Sequence, residues 1–322
     1  MNYQEYRAAK EGYLQSDPLR LDCMNTQKAL SFLAPSCSRS EKTDSPQAAL
    51  ALWQGVTGFD LTDLQIIPGK GVRELLAHLI EQLKQEQVDF IFPRDVYPVY
   101  HQLLSGYPCQ QYRTFPQWEW DFLTNSPEHR QVLLLTQPAV PVGRYLHSQE
   151  STAVLNWLSA DERRLLIVDA AYAYDPNHSI YQQLLQSGQC ICLFSLSKPW
   201  LLPEQFGLAV SHRELLADKS LLSNDFSTDW VAPLRQHATL PAKLSALFAA
   251  EWNQLRDAIH QFAPDWQPPQ SGYYSTVNIP FEQLLEEHNT LGVPATVFGS
   301  DRTDVTVISC LFHIQQRSLT DV

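Results

Sequence analysis

Ser195-Leu196-Ser197-Lys198 follows directly on the apolar run Cys190-Ile191-Cys192-Leu193-Phe194. A lysine at the exit of a buried strand, with hydroxyls one and three residues before it, has the setting of a Schiff-base lysine. Partial desolvation lowers the amine pKa, so that the neutral form attacks a carbonyl. The ordinary reading of such a lysine is a solvated loop residue, and its weight depends on what accompanies it. Gly69-Lys70-Gly71-Val72-Arg73 stands between a strand pattern and a helix pattern. Backbone amides at a helix N-terminus approached through glycines form an anion site; the same residues also suit a plain tight turn. Asp169 closes a second apolar run, Leu165-Leu166-Ile167-Val168, and Tyr172 follows three residues later. A carboxylate there pairs with a buried cation or caps a helix. The ten histidines show no HExxH or other metal spacing.

The elements that must hold these residues read as strand–helix alternation. Short strands are predicted at Leu64–Ile67, Val88–Phe92, Val132–Leu135, Leu165–Val168 and Cys190–Phe194, with one more at Gly207–Val210 that could run antiparallel. Between them the pattern predicts helices over Val72–Gln85, Tyr97–Leu104, Ser148–Leu158 and His178–Gln186. Continuous apolar strands separated by amphipathic helices indicate a parallel sheet covered on both faces. Residues 1–44 are polar and mixed, with a short helix over Gln27–Leu33 and a loop from Pro35 to Pro46. After His212 the texture changes to a long helical region, Leu240–Phe262, broken by Pro264, Pro268 and Pro269, then strands at Tyr273–Ile279 and Val305–Ser309. This divides the chain into a large domain over 45–212 and a smaller α+β domain built from 1–44 and 213–322.

Composition bounds the function. The 322 residues suffice for one large α/β unit or two moderate domains. A net charge of -12 argues against nucleic acid or an anionic membrane as partner, while leaving room for a local basic pocket. Six cysteines without a CxxC pair do not read as a disulfide scaffold, and no apolar run is long enough to span a bilayer. The setting expected is therefore the reducing cytoplasm.

In order, these landmarks resemble the class I/II aminotransferases of the aspartate aminotransferase fold, fold type I of the pyridoxal-phosphate enzymes. The nearest branch is that of histidinol-phosphate aminotransferase and threonine-phosphate decarboxylase. Ile67-Pro68-Gly69-Lys70-Gly71-Val72-Arg73-Glu74-Leu75-Leu76 is similar to that branch's phosphate loop, GNGSDELI. Phe90-Ile91-Phe92-Pro93-Arg94-Asp95-Val96-Tyr97-Pro98-Val99-Tyr100 resembles IPxPTYPxY, and Gln137-Pro138-Ala139-Val140-Pro141-Val142-Gly143 stands where the family has NPxNPTG. Asp169-Ala170-Ala171-Tyr172 looks like DEAY, and Ser195-Leu196-Ser197-Lys198 like SFSK. The order holds from about residue 45 to 212 and more weakly to Ser309.

The resemblance implies a three-layer α/β/α large domain with a mostly parallel sheet, plus the smaller α+β domain. It implies pyridoxal 5'-phosphate held by Lys198 as an aldimine, with Asp169 on the pyridine nitrogen and Tyr172 on the phenolic oxygen. Tyr97 would stack on the ring. Gly71, Val72, Arg73, Ser195 and Ser197 would cradle the phosphate, with Val140 lining the site. The activity implied is amino-group transfer on a small amine or amino acid of specialised metabolism, in a homodimer. Decarboxylation or C–S cleavage would use the same chemistry, and a degenerate, non-catalytic binding or regulatory subunit is the alternative of another class.

The departures matter as much. Val140 replaces the family asparagine and has no polar side chain. The arginine that clamps the phosphate is absent, its place taken by Gln205 or Phe206. The arginine for the substrate carboxylate should fall near Val305 or Thr306, which leaves Arg302 as the nearby substitute. The N-terminal tyrosine sent to the neighbouring subunit is not recognisable, and no terminal helix is expected after the last strand. Lys70 and Arg73 stand where the family consensus has asparagine and aspartate. They either take over part of the clamp or point to solvent at the helix start.

Overall fold

Asn2 opens the first helix, α1 (Tyr3–Tyr13), through a capping box: its side chain accepts from the amides of Gln4 and Glu5, and the Glu5 carboxylate accepts from the Asn2 amide. The computed structural model describes residues 1–34, 46–60, 62–119, 123, 130–202, 206–212 and 231–320. After α1 come the two-residue strand β1 (Leu19–Arg20), the short helix α2 (Thr26–Ala29) and helix α3 (Pro46–Thr57). The sequence reading missed α1 because its only fully buried residue is Tyr6, too little for an apolar period. The loop expected from Pro35 lies outside the described residues up to 45.

Alternation then proceeds as β2 (Leu64–Gly69), α4 (Val72–Gln85), β3 (Asp89–Pro93), α5 (Val99–Leu103), β4 (Cys109–Tyr112), β5 (Gln131–Thr136) and α6 (Ser148–Ser159). It continues with β6 (Leu165–Ala170), α7 (Ser179–Leu185), β7 (Cys190–Ser195) and β8 (Gly207–His212). The seven strands form one sheet in the order β2-β8-β7-β6-β5-β3-β4. All pairings are parallel except those of β8, which runs antiparallel to both β2 and β7. Every residue of β5 and β7 is buried, as continuous apolar runs require of central strands. The edge strand β4 escaped the reading because Cys109-Gln110-Gln111-Tyr112 carries no such run and shows its first two residues to solvent.

Both faces of the sheet are covered. On one, α4 lays Val72, Leu75, Leu76, Leu79, Ile80 and Leu83 against Phe90, Leu134, Ile167 and Leu193. That 3–4 spacing is the helical stripe legible in the sequence, and each buried side chain contributes about 1.5–3 kcal/mol. On the other, Val154, Trp157 and Leu158 of α6 and Leu184 of α7 join Leu133, Leu135, Val168 and Phe194 in a second core. The result is the expected three-layer α/β/α arrangement.

The rest of the described chain holds α8 (Val231–Gln236), α9 (Leu240–His260), β9 (Tyr274–Val277), α10 (Phe281–His288), β10 (Thr290–Leu291), β11 (Val293–Pro294), β12 (Thr306–Ser309) and α11 (Leu311–Thr320). Strands β11, β12 and β9 make a three-stranded antiparallel sheet, and β10 pairs in parallel with β1. The long helix α9 buries Leu244, Phe248, Trp252, Leu255 and Ile259 along one stripe. Its Trp252 Nε1 donates to the Gly272 carbonyl at 3.1 Å, fixing the entry to β9. Helix α11 corrects the expectation that the last strand is followed by no helix. Among its described side chains, up to Gln316, Leu311 and Ile314 are the buried pair at helical spacing; His313 Nδ1 meets the Glu251 carboxylate of α9.

Candidate active site

The pairing register puts Gly69 of β2, Gly207 of β8 and Ser195 of β7 side by side in one row. Neighbouring strands lie roughly 5 Å apart, so the row spans about 10 Å. Helix α4 begins next to it. Gly71, the residue before α4, has φ 95°, which favours glycine, and forms no side-chain cap to the helix. The first-turn amides of α4 have no intrahelical acceptors and point out of the helix end. A Cβ built on Gly207 would lie 2.9 Å from the Gly71 carbonyl carbon and 3.0 Å from the Val72 nitrogen. Only a glycine there lets the helix start settle onto the sheet. The Ser195 and Ser197 hydroxyls are 3.3 Å apart and buried, and the Lys198 amide donates to Ser195 Oγ at 3.3 Å. Amides and hydroxyls thus gather in a cradle that suits a phosphate.

Asp169, the next-to-last residue of β6, is half-buried. Its Oδ1 accepts from the Ala171 amide at 2.8 Å and its Oδ2 from the Tyr100 hydroxyl at 2.8 Å. Burial pushes the carboxyl above the ordinary carboxylate range, against the opposing pull of the Ala171 amide, the Tyr100 hydroxyl and Lys198. A carboxylate so placed gains from a cation set beside it, as a protonated pyridine nitrogen would be. Tyr100 is a site residue the sequence reading passed over as part of a helix. It lies one turn beyond Tyr97, and that spacing was the available signal.

The raised pKa of Asp169 has a measurable consequence in the protein without cofactor. The folded state binds this proton more tightly than the unfolded chain, so the stabilisation is complete below the ordinary value of roughly 4. It is lost as pH climbs through the raised value. Asp169→Asn removes this dependence. The expected result is a Tm difference, variant minus parent, that grows in favour of the variant from about pH 4 towards neutrality; a difference independent of pH would contradict it.

Lys198 follows β7, and its Nζ lies 4.7 Å from the centroid of the Tyr172 ring. Such a contact is worth about 0.5–2 kcal/mol, depending on desolvation. It brings the lysine and the tyrosine of two separate motifs together, with Asp169 close enough for Lys198 to act on its charge. The Tyr172 hydroxyl accepts from Tyr274 at 3.0 Å, and Tyr274 accepts from Tyr273 at 2.6 Å. Tyr273 and Tyr274 were read as strand residues only.

The remaining candidates are placed differently. Tyr97 is 53% exposed, its ring uncovered. Val140 is buried in the core, its amide donating to Thr136 Oγ1 at 3.3 Å. Phe206 is also core, while Gln205 lies outside the described residues. Val305 and Thr306 are buried, the Thr306 hydroxyl donating to the Ile279 carbonyl at 2.8 Å. Arg302 makes a two-pronged pair with Asp304 at 2.5 and 2.6 Å, and none of its hydrogen bonds joins it to Lys198, Asp169 or Tyr172. Lys70 and Arg73 are exposed at the start of α4.

No family model and no curated protein matches the chain. Solved structures do. YbdL from Escherichia coli, identified with a methionine aminotransferase function, is 16% identical with a TM-score of 0.69, over 97% of this chain and 96% of that one. The multiple substrate aminotransferase of Thermococcus profundus is 15% identical with a TM-score of 0.70, over 100% and 97%. The histidinol-phosphate aminotransferase of Clostridium acetobutylicum is 12% identical with a TM-score of 0.68, over 93% and 99%. The chain has the fold of these aminotransferases, the fold type I that the motifs led us to expect.

Proposed function

We propose that this chain is a pyridoxal-phosphate-dependent aminotransferase acting on a small amine or amino acid of specialised metabolism. The observation that carries the proposal is the meeting of Lys198, Asp169 and Tyr172 at the same end of the sheet as the Gly71–Ser195 cradle. The residues fit the cofactor group by group. The amides of Gly71, Val72 and Arg73 and the hydroxyls of Ser195 and Ser197 suit its phosphate. Asp169 suits the ring nitrogen, Tyr172 the phenolic oxygen, and Tyr97 a ring face.

Pyridoxal phosphate, when bound, supplies an aldehyde for amines and a ring that takes up the electrons of a carbanion. The protein does the rest. Lys198 Nζ would hold the aldehyde and, once freed by the substrate amine, would carry a proton between the substrate Cα and the cofactor's C4′. Asp169 would keep the ring nitrogen protonated, and a hydrogen bond to a charged group is worth about 1.5–3 kcal/mol. Tyr172 Oη would donate to the phenolic oxygen.

Two contacts of the family need replacement. For the phosphate clamp, Arg73 and Lys70 add positive potential at the mouth of the cradle. Both are exposed, so the effect is modest: Arg73→Ala and Lys70→Ala each weaken cofactor affinity by up to about fivefold, measured by fluorescence titration. Unchanged affinity in both would return the retention to amides and serines alone. For the substrate carboxylate, the buried side chains of Val305 and Thr306 offer no cation, which favours a substrate not held in the ordinary way. The same observation favours a non-catalytic relative; the retained lysine–carboxylate pair favours catalysis. We further propose a two-fold homodimer, which would cover the exposed Tyr97, and a cytoplasmic setting. Among the described residues, no helix is long and apolar enough to cross a membrane.

The test is purified protein with added cofactor, offered a panel of amines and amino acids with a 2-oxo acid acceptor. Amino-group transfer supports the reading. Release of carbon dioxide or sulfide would redirect it to a decarboxylase or lyase, and a flat near-visible spectrum to a non-catalytic subunit.

A further inference from the structure

Lys198 lies over the ring of Tyr172, and three more tyrosines gather near Tyr172. Tyr172 and Tyr174 lie on the loop after β6, and Tyr273 and Tyr274 at the start of β9. The rings are locked by contact. Tyr172 meets Tyr274 edge-on at 5.2 Å between centroids and Tyr273 at 5.8 Å, and the latter two lie 4.0 Å apart. Tyr273 is held from behind by Phe248 of α9. Three of the four hydroxyls form a chain in which Tyr273 donates to Tyr274 at 2.6 Å and Tyr274 to Tyr172 at 3.0 Å. The Tyr273 hydroxyl also lies 3.4 Å from the Met24 carbonyl, a longer contact than the one to Tyr274. The chain ends at Tyr172, and no acceptor among the described residues takes the Tyr172 proton.

A phenol has one proton to donate and accepts through its lone pairs. Once Tyr172 accepts from Tyr274, its own proton must point away from β9. We propose that Tyr274, backed by Tyr273, is a positioning residue that commits the Tyr172 proton to the cofactor's phenolic oxygen. The inference rests on the cofactor reading above. Each donor in the chain polarises the next, so Tyr172 becomes the stronger donor. Burial and the neighbouring phenols hold Tyr273 and Tyr274 well above the usual phenol range, so both stay protonated and able to donate. The other titratable groups near Tyr172 are Lys198, over its ring, Asp169 beside the lysine, and Tyr174. Tyr174 supplies an internal control: its buried hydroxyl has no hydrogen-bond partner among the described residues and stands outside the chain.

The experiment is a pH titration of the visible absorption band in cofactor-loaded parent, Tyr172→Phe, Tyr274→Phe, Tyr273→Phe and Tyr174→Phe. A hydrogen bond donated to the phenolic oxygen favours the deprotonated chromophore, so weakening it raises the titration midpoint. The expected order is the largest rise in Tyr172→Phe, then about half a unit, or roughly threefold in proton affinity, in Tyr274→Phe. Tyr273→Phe shows a smaller rise and Tyr174→Phe none. Phenylalanine keeps the ring packing, and thermal unfolding of each cofactor-free variant checks that the fold is retained. A midpoint in Tyr274→Phe equal to the parent's, beside a raised one in Tyr172→Phe, overturns the inference. So does a midpoint in Tyr172→Phe that does not move. A parent that takes up no cofactor sinks the underlying reading, and this inference with it.

Discussion

Borohydride reduction of the cofactor-loaded protein fixes pyridoxal phosphate to the peptide containing Lys198, and Lys198→Ala abolishes the fixation together with activity. The expectation follows from position. A lysine that condenses with an aldehyde must spend part of its time neutral, in a place where the carbonyl is held still. Lys198 follows a fully buried strand, its ammonium lies over Tyr172, and its own amide donates to Ser195 of the cradle. Other lysines are engaged elsewhere: Lys84 reaches Glu81 and the Leu103 carbonyl, and Lys10 pairs with Asp22. Lys70 stands at the glycine turn and is exposed. Loss of the group that transfers the proton costs roughly 10²–10⁴-fold in rate, before any loss of cofactor is counted. Peptide mapping after reduction decides the matter; label at Lys70 or at several lysines would remove Lys198 from the role.

How far the site was legible depends on whether the signal was local. The strands β5, β6 and β7 and the helix α4 announce themselves because burial on both faces, or along one stripe, imposes a period on neighbouring residues. Lys198, Asp169, Tyr172 and the glycine turn could be placed because each sits at the end of such an element, where the chain leaves the sheet. Tyr100, Tyr273 and Tyr274 could not. Their hydrogen-bond partners, Asp169 and Tyr172, lie 69 and 102 residues away along the chain for Tyr100 and Tyr274. Nothing in a local period distinguishes a tyrosine that donates to a half-buried carboxylate from one that fills space. The edge strand β4 and the helix α1 were missed for a related reason: each buries too few residues to impose a pattern. Gly207 is the sharpest case. In the sequence it is a glycine at a strand start, and only the register with Gly69 and Ser195 shows what it makes room for.

That glycine carries the second large effect. A Cβ at 207 would meet backbone atoms, the Gly71 carbonyl carbon at 2.9 Å and its Cα at 3.0 Å. Backbone cannot rotate away as a side-chain end can, so the start of α4 must shift relative to β8 and Ser195. Overpacking of this kind costs about 1–3 kcal/mol. If the cradle binds phosphate, the cost falls on cofactor affinity, because the helix amides and the two hydroxyls no longer converge on one point. Gly207→Ala is therefore expected to weaken pyridoxal phosphate binding by about ten- to a hundredfold. The discriminating measurement repeats the titration with pyridoxal, which lacks the phosphate. Its affinity should change far less, since Lys198, Asp169 and Tyr172 are untouched. Gly55 is the control. It lies exposed inside α3, and a methyl group added there would meet nothing within 4 Å. Gly55→Ala should leave cofactor affinity unchanged while stabilising the helix by about 0.5–1 kcal/mol. Equal losses for the phosphorylated and unphosphorylated ligands in Gly207→Ala would mean a general distortion of the site. The α4 start and the serines would then have to be given up as the phosphate cradle.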